Sequence, residues 1–183
     1  VYDSANQKVV VAYRDRNPYH GKCAVGTVDA TNNTISFGTP VTFESAAILY
    51  VNASYDVNAG KVVIAYYDDD NNNQGTAIVG TVSGNSISFG SPSIFETGGT
   101  ADIKMVYDTS SQKNVIVYTD NGDGQKGKAV VATVSGTSIS FGSIAEFNSG
   151  RTNNIDITCD QNAGKVVVVH RDTDDSQKGK ALV

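Results

Sequence analysis

The chain has 183 residues, 39% hydrophobic and 18% charged, with a net charge of −5. That is enough apolar material for one sizeable core and excludes a disordered chain. The acidic balance excludes nucleic acid and an anionic membrane surface as partners, because both need clustered Lys and Arg, and no apolar run approaches the ~20 residues that insert into a bilayer.

Eighteen glycines, with abundant Val, Ser, Thr and Asn, predict many short strands joined by turns. In chain order the first elements are "VYD" at Tyr2-Asp3, "KVVVAYRD" from Lys8, "GKCAVGTV" from Gly21 and "ISFG" from Ile35. The series then returns. "YD" recurs at Tyr55 and Tyr107, with "CD" at Cys159, at spacings of 53, 52 and 52. "KVVIAYYD", "KNVIVYTD" and "KVVVVHRD" start at Lys61, Lys113 and Lys165, and "ISFG" returns at Ile87 and Ile139. The third motif reads "GTAIVGTV", "GKAVVATV" and finally "GKALV".

Four strands per unit follow, A to D in order, with D extending into the following "SIF". Length varies in two places only: one residue fewer between Asp15 and Gly21, and two more between Thr27 and Ile35. These are loops, because a one-residue slip inside a strand would turn every side chain to the wrong face. Gly84-Asn85 and Gly136-Thr137 carry the signature of a type II′ hairpin turn. Strand B is apolar on both faces, as a strand between neighbouring sheets should be.

The predicted fold class is therefore all-β: a β-propeller-like array of four-stranded antiparallel blades with a ~52-residue repeat and about 3.5 blades. A β-solenoid coil would be shorter, and a β-sandwich has no reason for a strict period. The chain 1–183 is read as one repeat domain, with units at about 1–47, 48–99, 100–151 and 152–183, the last incomplete. Propellers close with 4–8 blades, so the array is expected to continue into further repeats of a longer chain or into other copies of itself.

Catalytic constellations are nearly absent, and there are only two histidines. His170 takes the slot of Tyr13, Tyr66 and Tyr118, and His20 sits in a loop. Asp3, Asp56, Asp108 and Asp160 end strand A, and Asp15, Asp68, Asp120 and Asp172 end strand B. Because they recur in every unit they are read as turn-capping residues rather than acid–base pairs. Cys23 and Cys159 lack metal-site spacing and are either free thiols or one long-range disulfide.

The B–C loops "DRNPYHG", "DDDNNNQG", "DNGDGQKG" and "DTDDSQKG" are the richest candidate binding surface. The residues singled out there are Asp15, Tyr19, Asp68, Asp69, Asp70, Asn72, Asp120, Asp123, Asp172, Asp174 and Asp175. They would share a face with the D–A connections. Tyr19 and its polar neighbours suit a glycan. No cofactor is called for, except that Asp120 and Asp123 resemble part of a Ca²⁺ loop without its full spacing. Asn32 and Asn52 stand in N-glycosylation sequons, relevant only in a eukaryotic-type source.

The unit pattern "YD…GKVVIAY.D…G.A.VGTVSG.SISFG" resembles tandem repeats of large, mostly uncharacterised proteins of aquatic bacteria and their phages. The resemblance covers essentially the whole chain. It implies a β-propeller and a tail-fibre, adhesin or other surface role, hence an extracellular or virion-surface location. The chain has no Trp, hence no WD dipeptide and no sialidase Asp-box; the double glycine of kelch blades is missing too. The expected function is a non-enzymatic structural or binding module presenting loops to a glycan or protein. The alternatives are a self-assembling filament or oligomer subunit and, more weakly, a glycan-processing enzyme.

Overall fold

Each sequence unit folds as a run of antiparallel strands in the order the sequence presents them. The computed structural model describes residues 1–183. The first unit contains β1 (Tyr2–Asp3), β2 (Lys8–Arg14), β3 (His20–Asp29) and β4 (Thr34–Phe37). The long β5 (Val41–Asp56) leads into the second, with β6 (Lys61–Asp68), β7 (Gln74–Ser83), β8 (Ser86–Phe89) and β9 (Ser93–Glu96). The third holds β10 (Thr100–Asp108), β11 (Lys113–Asp120), β12 (Lys126–Ser135) and β13 (Ser138–Phe141). The long β14 (Ala145–Asp160) leads into the fourth, with β15 (Lys165–Asp172) and β16 (Lys178–Leu182). Strands hold 68% of the residues, and the all-β class expected from the sequence holds.

Within a unit the A, B and C strands pair in sequence, for example β5 with β6 and β6 with β7. Strand D comes in two pieces. In the first unit β4 pairs the far half of β3, from Gly26↔Phe37 to Asp29↔Thr34. The start of β5 pairs the near half, at Lys22↔Thr42 and Cys23↔Val41. In the second unit β8 and β9 divide β7 the same way. Because β5 and β14 each carry D of one unit straight into A of the next, hydrogen bonding runs on between units. The result is a nine-stranded and a seven-stranded sheet, in a curled half-barrel form.

The β7–β8 and β12–β13 turns place Gly84 at φ +60° and Gly136 at φ +62°. Asn85 and Thr137, next in each turn, stay out of that region. That is the expected type II′ geometry, which only glycine enters without strain at its first position.

The core lies between consecutive units. Side chains alternate along a strand, so Val62, Ile64 and Tyr66 of β6 turn back onto Val10, Cys23, Val25 and Phe43 of the first unit. Val63 and Ala65, one step over, turn forward onto Ile103, Met105, Ile116 and Tyr118 of the third. Val117 in turn meets Ile155 and Val168 of the fourth. This is why strand B is apolar on both faces.

At the two ends of the series the same positions meet no neighbour. Ile64 and Ile116 are 0% exposed, but their first-unit equivalent Val11 is 40% exposed. Ile87 and Ile139 are buried, whereas Ile35 and the neighbouring Phe37 are exposed. At the other end Val169 is 45% exposed where Ala65 and Val117 are fully buried.

Candidate functional site

The recurrent aspartates close turns. At the A–B turns a carboxylate of Asp3 accepts from Asn6 N at 3.0 Å, Asp56 from Ala59 N at 2.9 Å, Asp108 from Ser110 N at 2.9 Å and Asp160 from Ala163 N at 3.0 Å. At the end of strand B, Asp15 accepts from His20 N and Asp120 from Asp123 N, both at 3.0 Å. Asp172 accepts from Asp174 N, also at 3.0 Å. These are the capping bonds that the repetition predicted.

Three of the four B-end aspartates also meet a lysine from strand C. Lys22 lies 2.8 Å from Asp15, Lys128 lies 3.0 Å from Asp120, and Lys180 lies 2.7 Å from Asp172. The hydrogen-bonded ammonium holds the carboxyls of Asp15 and Asp172 below the usual carboxylate range. Thr76 takes this lysine's place in the second unit. Asp68 there has no such partner, and burial pushes its carboxyl up, helped by the charge of Glu44.

Glu44 and Glu96 were not singled out in the sequence, yet they are built into the same edge. Glu44 accepts from the Tyr66 hydroxyl at 3.0 Å and from Ala46 N at 2.9 Å. Glu96 repeats both contacts, with Tyr118 at 3.0 Å and Gly98 N at 2.9 Å. Phe43 and Phe95 pack on the two tyrosines at 5.3 and 5.2 Å between ring centroids. The signal for these residues was available as the "FE" pair recurring 52 residues apart.

In the fourth unit the set changes together. His170 replaces tyrosine, Asn148 replaces glutamate, and Phe147 keeps its ring 5.2 Å from the imidazole. Asn148 turns to Thr152 Oγ1 at 2.8 Å instead. His170 is buried in the strand, as its tyrosine slot predicted, and desolvation lowers its pKa.

The B–C loops and D–A connections do share one edge. Ile48 N donates to Tyr19 O, Asp69 N to Ala47 O, Thr100 N to Asn73 O and Asn121 N to Gly99 O, at 2.7 to 3.0 Å. Asp70 accepts from Ala47 N at 3.0 Å, and Asp174 from Arg151 N at 2.9 Å. Asn72 and Asn73 take left-handed φ values of 54° and 63° to turn the tip. Tyr19 is 47% exposed, with the Arg14 guanidinium 4.8 Å from its ring centroid. Asp175 is paired with Lys178 at 2.8 Å and Lys180 at 3.1 Å.

The carboxylates singled out for Ca²⁺ are engaged by lysines. Asp123 lies 2.7 Å from Lys128 and 3.2 Å from Lys126, and Asp120 shares Lys128. No group of three or more His, Cys, Asp or Glu side chains is placed to hold a metal. Asn52 accepts from Met105 N at 3.1 Å and so ties β5 to β10, whereas Asn32 is exposed. Cys23 and Cys159 are free thiols; Cys23 lies buried between the first two units, where desolvation pushes its thiol up to about 12.

A groove of about 470 Å³ runs along the A strands, lined among others by Tyr2, Tyr55, Met105, Tyr107 and Gln161. All four units contribute to it. No family model and no curated protein matches the chain.

Proposed function

We propose that the chain is a non-enzymatic structural and binding module: a stretch of propeller-type repeats that stacks through its end faces on further repeat units, in other copies or in a longer chain, and displays its B–C loop tips to a glycan or protein. One observation carries this reading. Positions buried between units, such as Ile64 and Ile87, are exposed in the first unit as Val11 and Ile35. A face that is half of an interface everywhere else in the molecule fits the other half best. That other half stands open at the far end, where Val169 is exposed and Val167 half-buried. A further repeat unit, supplied by a second copy or by a continuing chain, is the occupant that fits each end.

The propeller arrangement draws support from the A strands of the first three units lining one groove, joined by Gln161 from the A–B turn of the fourth, as innermost strands do around an axis. It also fits the two-piece D strand, which completes four strands in each of the first three units. The non-enzymatic reading draws support from the carboxylates. Those that recur are spent on turn caps, lysines and tyrosines, so few remain free for proton transfer. The extracellular or virion setting rests on the repeat resemblance.

Side chains differ most at the loop tips: Tyr19 in the first unit, Asp69, Asp70 and Asn72 in the second, Asp174 and Asp175 in the fourth. A glycan array probed with labelled protein is expected to show a restricted set of bound sugars, lost in a Tyr19→Ala variant. Silence across the array would remove the glycan from the reading and leave protein as the ligand.

A further inference from the structure

Comparing the four units at one place, the end of strand B, exposes an irregularity in the second. Asp15, Asp120 and Asp172 each hold a lysine ammonium from strand C within 3.0 Å. In the second unit that lysine is Thr76. Asp68 is 6% exposed and Thr76 3% exposed, yet Asp68 Oδ1 and Thr76 Oγ1 reach no hydrogen-bond partner. Neither does the buried Gln74 Oε1. The register puts the three side chains on one face, since Asp68 pairs with Gln74 and Tyr66 with Thr76. Glu44, bonded to the Tyr66 hydroxyl at 3.0 Å, brings a second carboxylate to that face.

Asn71 hydrogen-bonds to the Asp68 carboxyl, but a buried carboxylate with one oxygen unsatisfied and no cation beside it is still costly, and a neighbouring carboxylate raises the cost. In three units a cation relieves it. The oxygens that share this face are two carboxylates, an amide carbonyl and a hydroxyl, with no imidazole or thiol among them, which is the donor set of a hard cation such as Ca²⁺.

We propose that the second unit binds Ca²⁺ between Asp68, Glu44, Gln74 and Thr76, where the other units use a lysine ammonium. The site ties the D strand of the first unit to the B and C strands of the second. Its loading therefore stabilises the interface between them. A lysine at position 76 does the same work permanently and excludes the ion.

The test is thermal unfolding of the full chain in choline chloride with a chelator, then with added CaCl₂, and separately with NaCl. The wild type is expected to gain about 5–10 °C at a hundredfold excess of Ca²⁺ over its Kd, with saturable heat in calorimetry. Thr76→Lys is expected to melt above the wild type without Ca²⁺ and to show no response to it. Asp68→Asn, which keeps the side chain's shape, is expected to lose the Ca²⁺ response as well. A wild type indifferent to Ca²⁺ would overturn the proposal. So would a response to NaCl equal to that of CaCl₂, or an undiminished response in both variants.

Discussion

Truncating Ile116 to alanine is expected to lower stability by about 2–5 kcal/mol, and Ile64→Ala by a similar amount. Both side chains are fully buried in the seams between units, Ile64 against the first and Ile116 against the second. Neither seam can collapse easily around the lost atoms, because paired strands on both sides fix its width. Val11 occupies the same position in the first unit and is 40% exposed. For the isolated chain Val11→Ala should therefore cost under about 1 kcal/mol. Urea unfolding of the three variants checks this. If end-face association buries Val11, its penalty should grow with protein concentration while that of Ile116→Ala does not. Equal penalties at all three sites would mean that the seams are not the core.

Gly75→Ala is the second substitution with a large expected effect. A Cβ there would lie 2.6 Å from Phe95 Cζ and 2.9 Å from Thr100 Cγ2. Phe95 is buried and packed on Tyr118, so its ring has little room to move. Overpacking of this kind costs about 1–3 kcal/mol. Gly21 and Gly127 sit under Phe43 and Phe147 in the same way. Gly179 heads strand C of the fourth unit, and nothing lies within 4 Å of a Cβ built there. Gly179→Ala should stay within about 0.5 kcal/mol of wild type. The contrast between two glycines of one repeat motif separates a packing role from a backbone one. A large loss at Gly179 would assign the recurrent glycine to backbone conformation instead.

Much of the fold was legible because its determinants are local. The "KVVIAYYD" strand announces two apolar faces by itself, and "VSGNSI" announces its turn through one glycine. The capping role of Asp56 or Asp108 was legible because an aspartate and its turn lie within three residues of each other. The polar ties at the loop edge were not. Glu44 and Tyr66 are 22 residues apart and belong to different units, so neither alternation nor turn chemistry links them. Glu44 and Glu96 each pair in a strand, with Gly21 and Gly75, before the chain turns away.

The lysines of strand C show the same limit. "GK" was visible as a motif, but that Lys128 neutralises Asp120 depends on the register between β11 and β12. The Ca²⁺ reading of Asp120 and Asp123 failed to anticipate those ammonium groups for this reason. Conversely, the departure of "GTA" from "GKA" at Thr76 carries meaning only once the register shows what the lysine does elsewhere. The open end faces were foreseen only as an incomplete array. Their identity with the buried seams became plain when Val11 and Ile64, or Ile35 and Ile87, could be compared in place.

The central claim is that the exposed end faces are unmet halves of the seam between units. Sedimentation equilibrium of the whole chain across a hundredfold range of concentration tests it most directly, with a Val11→Glu, Val169→Glu double variant alongside. The account predicts a mass that rises above the 19.2 kDa of one chain as concentration increases, and a double variant that stays folded at 19.2 kDa throughout. A wild type that remains at the mass of one chain over the whole range would contradict it.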